Sequence, residues 1–469
     1  MGSRRYPGRR HVKGWQLTAL VGAAGVVVLA GCSSSGTGAG GGSTSTSTAA
    51  PTTNGASKAA GNATSGSISW SASPLTGSGA NDARTVLINA FEKQYPGIKV
   101  TLISASTDTD TNRATLATQI SGGSSSPDVF MGDVIWPAQF GAHQLALPLS
   151  DYLPASYWTR FAAGLVGGAS YKGKVYGSPL FEDQGFMYYR KDLLAAAHMT
   201  PPTTWEQLET EAKTLASSGK VKYGFVWQGD SYEGLTCNFM EYLASAGGTA
   251  TNSAFTQATL NSAAATKAVT FMRSLITSGA SPAAVTTFQE PQAMNTFGAG
   301  NAAFLRNWDY AYSAATTPSS GGKLKPSQVG VEPMPTFQGQ SAPGYSNIGG
   351  WNMYINPHSK NVAADLTFIK WLSTPAAQDI LSKRYGFIST VQAVRTDPTV
   401  IASNPVFAVV PKTKLVPRPA GTPNYPALST AIYQNVNAAL AGSASPSAAV
   451  SSMQNAAKSA LSSTTTGGL

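Results

Sequence analysis

Residues 68–102 read ISWSASPLTGSGANDARTVLINAFEKQYPGIKVTL, and this stretch decides the fold. Ile68, Trp70 and Ala72 alternate with serines, the period-2 pattern of a half-buried strand. Asn81 or Asp82 stands where a helix needs a side-chain cap, and Val86, Leu87, Ala90 and Phe91 give the helix that runs to Tyr95 one apolar face. Pro96-Gly97 ends it, and Ile98, Val100 and Leu102 alternate as a second strand. Pro127-Asp128-Val129-Phe130-Met131 reads as a third, buried strand. Strand, helix and strand in this order predict an α/β fold with a parallel sheet. Farther along, Thr204 with Gln207 forms a capping box ahead of Trp205, Leu208, Ala212 and Leu215. Residues 263–278 and 363–373 repeat the helical spacing. That many α/β units exceed one lobe's capacity and predict two lobes.

The whole chain has 469 residues, of which 42% are hydrophobic and only 12% charged, which excludes a coiled coil or a charged disordered tail. Its net charge of +10 would suggest a nucleic-acid partner, but Arg4, Arg5, Arg9, Arg10 and Lys13 supply five of those charges and residues 1–31 carry no Asp or Glu. A chain starting at Cys32 therefore carries +5, and no nucleic-acid partner is expected. The basic start, the apolar run from Trp15 to Ala30 and Leu29-Ala30-Gly31-Cys32 follow the plan of a secretory signal, expected over 1–31. The run is too short to span a bilayer comfortably. Its end resembles the lipobox of bacterial lipoproteins, which implies a lipid on Cys32; Arg9-Arg10 leaves both Sec and twin-arginine export open. Residues 32–67 are rich in Ser, Thr, Gly and Ala and predict a disordered tether. The remaining cysteine, Cys237, sits among Leu235, Phe239 and Met240 and reads as a small buried apolar residue.

Familiar catalytic instruments are missing. The four histidines are scattered, so no H-E-x-x-H or Cys/His zinc cluster can be built, and neither G-x-S-x-G nor a phosphate-binding loop occurs. No metal, cofactor or catalytic residue is expected. What remains are carboxylates beside aromatic residues at probable strand ends, where α/β folds bind ligands. These stretches are Gly132-Asp133-Val134-Ile135-Trp136, Phe181-Glu182-Asp183-Gln184, Trp227 with Glu233, and Trp308, Tyr310 and Gly349-Gly350-Trp351-Asn352. Flat rings suit the C–H faces of a pyranose, and carboxylates or Arg suit its rim of hydroxyls. The same residues also admit other roles: Asp133 as the cap of a helix near Trp136, tryptophans as core, or two carboxylates as the acid and nucleophile of a glycosidase.

Pro127–Asp133, Tyr171–Pro179, Met187–Leu193, Pro202–Trp205, Gly300–Phe304, Pro333-Met334-Pro335, Gly349-Gly350-Trp351 and Phe368–Leu372 through Gln378 together resemble the lipid-anchored sugar-binding proteins of ABC importers, in the maltose- and trehalose-binding group. The resemblance implies a two-lobed, periplasmic-binding-protein-like α/β fold of class II, with a ligand cleft between lobes joined by hinge crossings near Pro179, Pro333–Pro335 and Phe387. Lobe 1 is expected over 68–179 plus 336–386, and lobe 2 over 180–335 plus 387–462. It further implies that Asp133 and Asp183 accept sugar hydroxyls, that Glu233 reaches in from the second lobe, and that Trp308 and Trp351 stack. Gly350 would offer a backbone donor, Arg418 a charged donor, and Tyr310 a further contact. The first loop, Gly79-Ala80-Asn81-Asp82, lacks the glutamate many relatives carry, which leaves Asn81 and Asp82 as the expected contacts there. The implied protein is a monomer on the outer face of the cytoplasmic membrane, lipid-anchored, passing a di- or oligosaccharide to an ABC permease. A polyol, glycerophosphodiester or peptide is the alternative cargo on the same fold.

Overall fold

The computed structural model describes residues 62–463; the expected signal, Cys32 and the expected tether up to residue 61 lie outside the described residues, and the tether's expected end at residue 67 is too late, because Gly66 and Ser67 already pair with Ile98 and Lys99. The strands are β1 (Gly66–Ala72), β2 (Ile98–Ser104), β3 (Val129–Asp133), β4 (Ser170–Tyr171), β5 (Lys174–Val175), β6 (Ser178–Gln184), β7 (Phe186–Arg190), β8 (Tyr223–Val226), β9 (Ala302–Asn307), β10 (Val329–Glu332), β11 (Tyr345–Ile355), β12 (Ile388–Ser389) and β13 (Lys414–Val416). They form one sheet in the order β12-β6-β11-β3-β1-β2, with β13 on β11, a second sheet in the order β10-β7-β9-β8, and the ribbon β4-β5.

The opening stretch folds as its pattern predicts. β1 pairs in parallel with both β2 and β3. The helix Ala83–Gln94 between them starts where the Asp82 carboxylate accepts a hydrogen bond from the Arg84 amide at 2.9 Å. Its Phe91 ring meets Phe368 at 4.9 Å, and Phe368 meets Trp70 of β1 at 5.2 Å, both edge to face. Fully burying a side chain of that kind contributes about 1.5–3 kcal/mol. The sheet is not parallel throughout, however: β11 runs antiparallel to β3 and to β6. Parallel pairing needs a crossover, as between β1, β2 and β3, whereas β11 enters from the second sheet and is free of that constraint.

In the second sheet, side chains alternate between two apolar layers, Met187 and Tyr189 facing one, Phe186 and Tyr188 the other. The helices Trp205–Ser217, Glu233–Ser245 and Ala263–Thr277 belong to this half. Thr204 caps the first of them by accepting from the Gln207 amide at 3.2 Å, and Trp205 stacks on Tyr242 at 4.1 Å.

The chain changes sheet between β6 and β7 through the single residue Gly185, six residues beyond Pro179. It returns between β10 and β11, which takes in Pro333–Pro335. The third passage was expected near Phe387, but β12 pairs with β6 and β13 with β11, both in the first sheet. That passage therefore follows Val416, leading to the helix Tyr425–Ala441, which packs on Glu233–Ser245 and Ala263–Thr277. Among the described residues, no helix is long and apolar enough to cross a membrane.

Candidate ligand-binding site

A cavity of about 310 Å³ is lined by residues from both sheets, among them Asp133, Asp183, Glu233, Trp308, Tyr310, Gly350, Trp351 and Arg418. Asp133 is the last residue of β3 and faces Trp351 across the β3–β11 pairing, while Gly349 faces Asp183 across the β6–β11 pairing. Glu233 opens the helix Glu233–Ser245, and Trp308 and Tyr310 follow β9 directly. The C-terminal ends of β3 and β6 therefore meet the middle of β11 at one place, and the second half supplies the opposing residues. Gly350 has φ +121°, and a Cβ there would lie 2.6 Å from the Phe181 carbonyl oxygen, so the close approach of β11 to β6 at the cavity requires glycine.

Arg418 organises one part of the wall. Its two terminal nitrogens donate to Asp133 Oδ1 and Oδ2 at 2.7 and 3.1 Å, and Nη1 also donates to Glu233 Oε1 at 2.9 Å. Glu233 Oε1 accepts from the Tyr425 hydroxyl as well, and Ser429 Oγ donates to Oε2 at 2.6 Å. Burial pushes the Glu233 carboxyl up while Arg418 pulls it down. Asp133 also accepts from the Ile135 amide at 3.2 Å, so it braces the turn ahead of the helix Pro137–Ala142 without being its N-cap. Both carboxylates thus hold internal partners on every oxygen. Their direct role is to clamp Arg418, which is 5% exposed and whose Nε has no hydrogen-bond partner.

Asp183 differs. Its Oδ1 is buried without a hydrogen-bond partner, as is Oδ1 of Asp309, and the two carboxyl groups lie against each other. Burial pushes the Asp183 carboxyl up to about 7, helped by the charges of Asp133, Glu290 and Glu182. Burial also holds Asp309 well above the usual carboxylate range, with the charge of Asp183 acting in the same direction. Glu290, also in the lining, accepts from Tyr232 Oη at 2.7 Å and from Trp308 Nε1 at 3.2 Å, which fixes the indole; the Arg306 guanidinium lies 4.0 Å from the centre of the Trp308 rings. Phe181 and Phe387 complete an aromatic wall, their rings 4.3 Å apart.

Asn81 and Asp82 do not line this cavity. Asp82 is engaged with Arg84, whose Nη2 donates to it at 2.6 Å, and Asn81 Oδ1 accepts from Arg384 at 2.6 Å. The first loop instead presents Ser73–Gly77, and the loop after β2 presents Thr107 and Thr109. The helix cap had first claim on Asp82, as capping by the residue before Ala83 would have suggested. Trp227 is core: it is fully buried and donates to Ser281 Oγ at 3.1 Å. Cys237 is buried as expected, its thiol pushed up by burial, and it also borders the cavity. Sequence reasoning missed Glu290, Phe387 and Asp309; the last lies between two residues that were singled out.

The two halves also touch at the rim. Gln289 Nε2 donates to Asp230 at 2.9 Å and to Asp108 at 3.3 Å, and the Glu233 amide donates to Asp110 at 3.2 Å. Burial pushes Asp110 up to about 7, with the charge of Glu233 contributing. Among the described residues, no group of His, Cys, Asp and Glu could hold a metal ion.

Residues 77–379 match the family described as bacterial extracellular solute-binding protein. A probable ABC transporter-binding protein of Deinococcus radiodurans is 31% identical over 367 residues, 76% of this chain and 86% of that protein. The solved structure of maltose-bound T. maritima MalE3 is similar with a TM-score of 0.77 at 30% identity, covering 84% of this chain and 99% of that one. A solute-binding protein of Agrobacterium radiobacter in complex with ribitol shares the fold with a TM-score of 0.71 at 24% identity, covering 84% and 98%.

Proposed function

Because the chain belongs to the bacterial extracellular solute-binding proteins and has their two-lobed α/β fold, we propose that it captures a di- or oligosaccharide of the trehalose or maltose kind and delivers it to the permease of an ABC importer. The observation that carries this reading is the convergence of Asp183, Arg418, Trp308, Trp351 and Tyr310 from both sheets on one cavity. Rings cover the C–H faces of a pyranose, and charged groups hold its hydroxyls with hydrogen bonds stronger than neutral ones. A cavity of about 310 Å³ is at the lower end of the range for small-molecule sites, about 300–1,000 Å³, and suits a short saccharide.

The cycle is physical. Ligand held by one half gains contacts from the other, and closure gains population by the ligand's greater affinity for the closed form. Closure removes water from the hydroxyls, so each must find a partner or weaken binding. The rim contacts Gln289–Asp108 and Glu233–Asp110 are of the kind that form as the halves meet. Acylation at Cys32, with the chain between there and the start of β1 at Gly66 as a tether, would keep the protein beside its permease on the outer face of the membrane and raise its effective concentration there.

The test is calorimetry of the mature chain against trehalose, maltose, cellobiose, xylo-oligosaccharides, ribitol and glycerophosphocholine. The reading expects a disaccharide to bind at about micromolar strength, equivalent to about −8 kcal/mol, and to be recovered chemically unchanged. Binding of ribitol or glycerophosphocholine with no saccharide would replace the cargo, and hydrolysis of the disaccharide would replace the function. Incorporation of labelled fatty acid, abolished by Cys32→Ser, tests the anchor.

A further inference from the structure

Asp309 is fully buried and does not line the cavity, yet it lies against Asp183, which does. Its Oδ2 accepts from the Ile388 amide at 2.6 Å, so the side chain is pinned to the β12 strand. Cations nearby are engaged elsewhere: Arg418 on Asp133 and Glu233, Arg306 on Glu241 at 2.6 and 3.0 Å, and Arg395 on Glu182. Other groups facing the pair are acidic or phenolic. Asp133, Glu182 and Glu290 act on Asp183 from β3, β6 and the helix Glu290–Gly298, while Tyr188 of β7 and Tyr310 lie close to Asp309. Two ionised carboxylates cannot face each other in such surroundings without a donor between their oxygens. A proton is the simplest donor, and it leaves one carboxylate of the pair able to accept from a ligand.

We propose that Asp309 is a positioning residue for cargo recognition, holding Asp183 in a fixed orientation through a proton that the two carboxyl groups share. It does not touch the cargo; it decides the orientation and the charge of the residue that does. The inference rests on the cavity being the cargo site, and its test separates the two. With the proton on Asp309, Asp183 is an acceptor for hydroxyls, and this state is favoured as pH rises through about 7. Cargo affinity of the wild-type chain is therefore expected to rise between about pH 5.5 and about pH 8.5.

Asp309→Asn is isosteric: its carbonyl oxygen still accepts from the Ile388 amide and its amide donates to Asp183. The Asn amide keeps Asp183 ionised to lower pH, so the rise in affinity moves acidward while binding near pH 8.5 stays within about threefold of wild type. Asp309→Leu leaves Asp183 without a donor and weakens binding about tenfold at every pH. Infrared difference spectra between the wild-type and Asn chains at pH 7 provide a readout independent of cargo: a protonated-carboxyl band is expected in the wild type and lost in the variant. Superimposable pH profiles for wild type and Asp309→Asn, or no band in the difference spectrum, overturn the proposal. If no saccharide binds the wild-type chain but the band is present, the cargo reading fails while the shared proton stands.

Discussion

Asp133 and Glu233 reach the cavity with Arg418 held between them, whereas Asp183 reaches it backed by another acid, Asp309. Burial confronts both clusters with the same problem, since an isolated carboxylate taken out of water is strongly disfavoured. In the first cluster a cation answers it, and the oxygens are consumed in doing so. A retained proton answers it in the second, and an acceptor remains. The comparison teaches that exposure to a cavity does not make a carboxylate a ligand contact; what matters is how many of its lone pairs the protein has already taken.

The largest effect expected from this contrast is on stability. Arg418→Ala strands two buried carboxylates and should lower unfolding free energy by about 3–5 kcal/mol, read from denaturant melts at pH 7. A variant that melts with the wild type would break the comparison at its first term. Next in size, Asp183→Ala should weaken cargo binding by about 1–3 kcal/mol while the melting midpoint barely moves. Asp133→Ala, by contrast, should lose binding and stability together, because Arg418 is left with Glu233 alone. Equal melting behaviour of the two Ala variants would show that the clusters do not differ as described.

The smallest effect sharpens the contrast with a third acid. Asp110 has neither a paired cation nor a second carboxyl sharing its proton, and its folded pKa, about 7, lies above that of an unfolded Asp. Between about pH 4 and pH 7 the folded chain therefore holds a proton the unfolded chain has released, so this group's contribution to stability falls as pH rises through that window. Asp110→Asn keeps an acceptor for the Glu233 amide and removes the ionisation. It should match the wild type near pH 4 and exceed it at pH 8 by on the order of 1 kcal/mol, solvent screening allowed for.

How far the sequence carried these conclusions depended on the range of the signal. Residues 68–102 fold as written because periodicity, cap and stop signals all act within a few residues of one another. Asp183 and Trp308 could be singled out because polar and aromatic residues cluster at strand ends, and Gly350 because paired glycines beside a Trp allow a close backbone approach, although it lies inside β11 and not at an end. The union of Asp133 with Arg418 joins positions 285 residues apart, and no local pattern encodes it. Asp309 was passed over between Trp308 and Tyr310 for the same reason: only the arrival of β6 from elsewhere in the chain gives it a partner. The direction of β11 was likewise invisible, since strand polarity follows from connectivity. Asn81 and Asp82 were misplaced because a cap residue and a ligand residue look alike in one dimension.

One residue, Gly185, separates β6 from β7. A side chain there would collide with Glu241 Oε1 at 2.2 Å and Arg306 Nη2 at 2.7 Å, and the Ser346 hydroxyl donates to its carbonyl at 2.6 Å. A single residue reaches only about 3.6 Å, so this link has no slack. The two sheets have no room to glide past each other along it; the cycle proposed above would have to widen the mouth of the cavity by a swing about this pivot.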